Sequence, residues 1–194
     1  MMHPVAAEAI SVLEQAGVDL APGLSDLDFT AVQQRYGFQF APDHRALLAA
    51  AVPTGDLWPN WRQGDAHLRR MLDWPIEGFV WDALHQDPPF WPASWGARPA
   101  EAAEVERIVR RELAAWPCLV PIYGHRYTPA APAPPGAPVF SVYQTDVIYY
   151  GPDLVGYLRN EFGVGAAARR DWSFEVTVPF WSRFVESANS ADSI

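Results

Sequence analysis

The 194-residue chain holds a single cysteine, Cys118, which excludes an internal disulfide and fits a reducing compartment. Cys118 stands in the apolar run WPCLVPIYG and reads as a small buried hydrophobe rather than a catalytic thiol. Long hydrophobic runs are missing too. No stretch approaches the roughly 20 apolar residues that span a bilayer. The opening MMHPVAAEAISVLEQAG carries no Lys or Arg, and Glu8 and Glu14 interrupt it. A secretory signal needs a basic start and an unbroken apolar block, so the expected location is the cytoplasm, off the membrane. Positive charge is scarce: 14 basic residues face 23 acidic ones, a formal charge of −9. Such a surface repels nucleic acid and anionic lipid and steers toward a basic partner, an effect that salt weakens. Ordinary solubility requires no more than this.

Signatures of chemistry are equally sparse. There is no glycine-rich phosphate loop and no dinucleotide fingerprint. Ser141 sits in FSVYQ, not in the G-x-S-x-G turn that exposes a nucleophile. His44, His67, His85 and His125 show none of the close spacings that many zinc sites use. Neither a metal nor a cofactor is expected. Cys118, His125 and Asp146 can be assembled on paper into a triad, but any chain of this length offers such sets, and geometry defines a triad.

What is present is the composition of a folded protein: 49% hydrophobic and 19% charged residues. The length suits one domain over 1–194 with a sizeable core. Val5, Ile10, Leu13 and Ala16 predict a first helix over 4–17, with Gly17 as its stop. Ser25 and Asp28 have the S-x-x-D form of a capping box. Phe29, Val32 and Tyr36 then line one face, and Gly37 suits a left-handed C-terminal position. Pro42 opens a third helix that carries Leu47, Leu48 and Ala51 and ends at Pro53. From Thr54 to Pro99, six of the nine tryptophans interleave with prolines. That stretch reads mainly as ordered loop, with IEGFVWDAL either a strand or one helical turn. Residues 100–116 predict a helix with a Val105, Ile108, Val109, Leu113, Trp116 stripe and charges that complement its dipole. LVPIYG reads as a strand, TPAAPAPPGAP as an exposed Pro-rich connector, and PVFSVYQTDVIYYG as sheet with a turn or bulge at Gln144-Thr145-Asp146. Gly151-Pro152-Asp153 switches the chain into a helix. DWSFEVTVPF predicts a last strand and WSRFV a short closing helix, together spanning 171–186. Helices followed by mixed strands and helices indicate an α+β domain.

Two segments concentrate polar chemistry. His125, Arg126 and Asp146 read either as parts of a ligand cleft or as groups that satisfy strand ends, with Arg126 and Asp146 as a partly buried ion pair. Trp91 and Trp95, set among prolines beside Asp82 and Asp87, read as an acid-rimmed aromatic patch for a partner.

The block GLSDLDFTAVQQRYGFQFAPDHRALL resembles the opening of the SUKH superfamily, the Smi/Knr-like proteins. FVWDALHQDPPFWPASWGARP, LVPIYGHRYTP and the long block ending YYGPDLVGYLRNEFG resemble later blocks of its bacterial members, over roughly residues 24–163. YYGPDL is the most specific part, and WSFEVTVPFWSRF lies outside the match. The resemblance implies a single α+β domain with a mixed, mainly antiparallel sheet flanked by helices. It also implies a toxin-neutralising immunity protein or a regulatory scaffold, with no catalytic residues to carry over. A basic nuclease-type toxin is the partner that this implication and the charge share. The first reading is therefore a non-catalytic protein-binding domain. A small-molecule or carbohydrate-binding protein that uses the tryptophans, and a hydrolase with a cleft near His125, stand as alternatives.

Overall fold

The computed structural model describes residues 2–64, 66–165 and 172–191. Local signals set the first three helices. Helix α1 spans Pro4–Gln15, opens on a proline whose missing N–H costs nothing in a first turn, and buries Ala6, Ala9, Val12 and Leu13. Helix α2 (Asp26–Tyr36) has the expected capping box. The Asp28 amide donates to the Ser25 hydroxyl, and the Asp28 carboxylate accepts from the Ser25 amide at 2.9 Å. Gly37 closes it at φ 75°. Helix α3 spans Pro42–Ala50. It stops earlier than the sequence predicts, because Ala51–Pro53 extends as strand β2 and pairs antiparallel with β1 (Leu20–Pro22). A three-residue strand is too short to show a periodicity of its own, so its partner decides its conformation.

The largest departure lies in the tryptophan-rich middle. Helix α4 runs over Ala66–His85 with Pro75 inside it, where the sequence predicts mainly loop, with IEGFVWDAL a strand or one helical turn. A proline leaves the carbonyl four residues earlier without a helical donor. Here that carbonyl, on Met71, accepts the Tyr127 hydroxyl at 2.8 Å in the core. The helix buries Leu68, Met71, Phe79, Val80 and Ala83. A 3₁₀ turn at Ala93–Trp95 leads to α5 (Ala102–Leu113), whose buried face is Val105, Ile108, Val109 and Leu113 as the spacing predicts, but the helix ends short of the predicted Trp116, which is half-buried beyond it.

A four-stranded antiparallel sheet follows in simple up-and-down order: β3 (Leu119–Tyr123), β4 (Arg126–Pro129), β5 (Val139–Tyr143) and β6 (Asp146–Gly151). Gln144 and Thr145 make the β5–β6 turn, with Gln144 at φ 56°. Asp153 caps α6 (Leu154–Phe162) by accepting from the Gly156 amide at 2.7 Å. The expected last strand does not form. Residues 172–180 are irregular, and Asp171 lies outside the described residues. Phe174 stacks on Tyr149 and Val178 enters the core, so the segment packs by its side chains instead of pairing as a strand. Helix α7 then covers Trp181–Ala191, longer than the short helix expected.

The result is an α+β domain in which both sheets are antiparallel. One face of the larger sheet, with Tyr127, Phe140 and Val142, packs on α4, α5 and α7 around Phe79. The other face, with Ile122 and Val139, packs on α1 and α6 through Leu13, Tyr157 and Leu158. A third cluster joins α2, α3 and Trp61 around Phe40. Among the described residues no helix is long and apolar enough to cross a membrane.

Candidate functional site

Residues His67, Arg70, Met71 and Trp74 recur at helical spacing and share one face of α4. Opposite them stand the β3–β4 turn, Gly124-His125, and the end of β5 at Tyr143. Leu57 closes the side, tied to the turn by the Gly124 amide, which donates to the Leu57 carbonyl at 2.8 Å. Together they enclose a cleft of about 320 Å³ with Tyr127 at its base. Its aromatic walls are fixed. The Trp74 indole N–H donates to the Val142 carbonyl at 3.0 Å, and its ring lies 5.7 Å from that of Tyr143. His125 meets Tyr143 edge-on at 5.9 Å.

Three of the large apolar side chains left in water border this cleft: Leu57 at 50%, Trp74 at 39% and Tyr143 at 52% exposure. Exposed apolar surface gathered around a concavity marks a binding site more often than chance scatter does. Arg70 on the rim is exposed and has no ion-pair partner among the described residues. The Nε2 of His67 is shut off from solvent without a hydrogen-bond partner. Burial lowers the pKa of His125; Arg126 adds to that, and Asp146 opposes it. His125 is therefore neutral at pH 7.

The same α4 face continues through Gly78 to Trp81 and His85. Trp81 is 49% exposed and stacks on His85 at 4.9 Å. Between the two exposed tryptophans the β5–β6 turn rests on Gly78. A Cβ there would lie 2.8 Å from the Gln144 Cα, so only glycine lets the turn approach. Asp82, on the adjoining side of the helix, anchors that turn. Its carboxylate accepts from the Thr145 amide at 2.9 Å and from the Thr145 hydroxyl at 2.6 Å.

The sequence-based candidates are thus redistributed. Asp82 is buried and bonded to Thr145, so it does not rim an exposed patch. Asp87 is exposed just beyond the end of α4. Trp91 and Trp95 are half-buried against the core and edge-to-face with each other at 5.3 Å. The Trp91 N–H is bonded to the Gly96 carbonyl at 2.8 Å, so the pair shapes a loop and does not project as a free patch. His125 lines the cleft, but Arg126 and Asp146 do not join it. Arg126 lies on the other face of the sheet. It pairs with Glu161 at 3.0 Å, donates to the Ser141 hydroxyl and covers the Tyr150 ring at 3.8 Å. Its partner is Glu161, not Asp146, because Asp146 sits exposed at the hairpin end, in register with Tyr143.

Cys118 precedes β3, and His125 follows it. The intervening extended chain separates them by roughly 20 Å, too far for a triad. Cys118 is also at the surface rather than buried. Its Sγ–H points to the Leu119 carbonyl at 3.7 Å, and local desolvation raises its pKa, which holds it as the less reactive thiol. His44 is in the core, its pKa lowered by burial to about 3. Among the described residues no group of three or more His, Cys, Asp or Glu can hold a metal ion.

Sequence reasoning missed Trp74 and Trp81 as the exposed pair. Their spacing of seven is the signal that identifies one helix face, but it has meaning only once residues 66–85 are known to be helical. Compared with known proteins, the chain matches no family profile, no curated protein and no solved structure.

Proposed function

We propose that this protein is a non-catalytic protein-binding domain that acts in the cytoplasm. It docks a partner through the α4 face bearing Trp74 and Trp81 together with Tyr143. The observation that carries this reading is the exposure of those three rings, 39–52%, on rigid elements along one side of the molecule. Tryptophan and tyrosine dominate binding hot spots because they cover large area with few rotors to immobilise. Held by a backbone hydrogen bond and by the Gly78 contact, this surface needs little reordering on association. The role is that of the SUKH resemblance: neutralising a toxin or scaffolding a regulatory complex.

The charge of −9, with Asp146 exposed beside Tyr143, supports a basic partner such as a nuclease-type toxin. The test is a capture experiment from native lysate with the full chain as bait, at low and high salt, beside Trp81→Ala. The expected result is a stoichiometric basic protein that salt weakens and Trp81→Ala loses, a hot-spot cost of about 2 kcal/mol or more. Equal capture by wild type and Trp81→Ala, or no stoichiometric partner for a folded bait, sinks the reading. A second reading, a small-molecule binder, is favoured by one observation, the 320 Å³ cleft itself.

A further inference from the structure

The lining of the cleft between α4 and the β3–β4 turn contrasts with the charge balance of the chain. The chain is acidic overall, yet no described residue lining this cleft is a carboxylate. Its charge comes from Arg70, beside the imidazoles of His67 and His125. Its walls are flat and apolar. Trp74 and Tyr143 supply aromatic surface, Leu57 and Met71 aliphatic contact. Its volume, about 320 Å³, lies at the small end of the roughly 300–1,000 Å³ found for ligand sites. That space admits about two fused rings and is too small for a dinucleotide.

We propose that this cleft binds a small, flat aromatic carboxylate. The ring system lies against the paired rings of Trp74 and Tyr143, whose centres are 5.7 Å apart, and offset or edge contacts add to the area it removes from water. The carboxylate meets Arg70 at the rim. A guanidinium offers two parallel N–H donors that match the two carboxylate oxygens, and Arg70 has no ion-pair partner to give up among the described residues. His67 contributes imidazole surface to the wall, while its Nε2 stays shut off from solvent. Neutral His125 adds ring contact without a competing charge. A phosphate would demand more donors than this apolar lining provides. A free sugar would leave many hydroxyls facing it unpaired.

The proposal rests on the small-molecule reading of this cleft; Trp74 and Tyr143 also belong to the docking surface, whereas Trp81 lies outside the cleft and so separates the two. The experiment is calorimetric titration of the full chain, near neutral pH and at low salt, with 2-naphthoate and its neutral twin 2-naphthamide. Naphthoate binds one to one and about tenfold more tightly than naphthamide, the value of one charge-assisted pair. Arg70→Gln brings the two ligands to equal affinity, and Trp81→Ala leaves both unchanged. Because Arg70 is exposed and has no ion-pair partner among the described residues, its replacement leaves the fold intact. Absence of binding by both ligands overturns the proposal. So does naphthamide binding as tightly as naphthoate, or Arg70→Gln retaining the difference between them.

Discussion

Pro75 has no amide hydrogen for the Met71 carbonyl, and Tyr127 supplies the missing donor from 56 residues further along the chain. Removing that hydroxyl leaves a buried acceptor unpaired. Tyr127→Phe is therefore expected to lose about 1–3 kcal/mol in urea denaturation. In a Pro75→Ala background the helix provides its own donor, so the same substitution costs clearly less. Equal losses in the two backgrounds would show that the hydroxyl does not serve the proline.

His44 is a second case decided by surroundings. It is buried with rings of Phe40 and Trp61 edge-on at 5.3 and 5.9 Å, and its pKa falls to about 3 because burial disfavours the charged form. Between pH 3 and 6.5 the unfolded chain holds a proton on this ring that the folded protein does not. The stability linked to it is full above pH 6.5 and declines as pH falls toward 3. His44→Phe is expected to flatten that part of the stability profile. An unchanged slope between pH 6.5 and 4 would mean that His44 titrates normally in the folded state.

At the scale of elements, the contact between α4 and the β5–β6 turn organises the candidate surface. Gly78 permits the approach, Asp82 fastens Thr145, and Trp74 fastens Val142. A methyl group at position 78 meets backbone rather than a flexible side chain, so the neighbour cannot simply rotate away. Gly78→Ala is expected to destabilise the fold by about 1–3 kcal/mol despite the better helix propensity of alanine. It should also shift the amide resonances of Gln144 and Thr145. A more stable Gly78→Ala protein would mean that the turn does not rest on the helix. The same pattern explains why Asp82 is misread from sequence. An aspartate near tryptophans and prolines resembles a polar rim until the turn that it holds is in place.

For the whole molecule, the sheet between two helical layers gives a rigid frame with one concave, aromatic side. Long-range charge belongs at this scale, because a formal −9 acts before any contact forms. Once a partner is in hand, its association rate constant is expected to fall about tenfold or more between roughly 20 and 200 mM salt, with little change in the dissociation rate. Stopped-flow mixing measures both. A salt-insensitive association rate would remove charge steering from the account.

Features whose cause lies within a few residues were legible in the sequence. The Ser25–Asp28 box, the Gly37 stop, the Asp153 switch and the α5 stripe each rest on neighbours in the chain, and each forms as its spacing requires. The extended character of β5 and β6 was equally plain from their β-branched and aromatic residues, while the pairing decided that Gln144-Thr145 is a turn and not a bulge. The tertiary structure decided what depends on distant partners. It made a helix of residues 66–85 by answering the carbonyl that Pro75 orphans. It drew Ala51–Pro53 into a strand by pairing it with Leu20–Pro22, and it turned Arg126 to Glu161 instead of Asp146. It also settled which tryptophans face water. Burial is a property of what packs against a residue, and for Trp74 and Trp81 nothing in the neighbouring sequence specifies that.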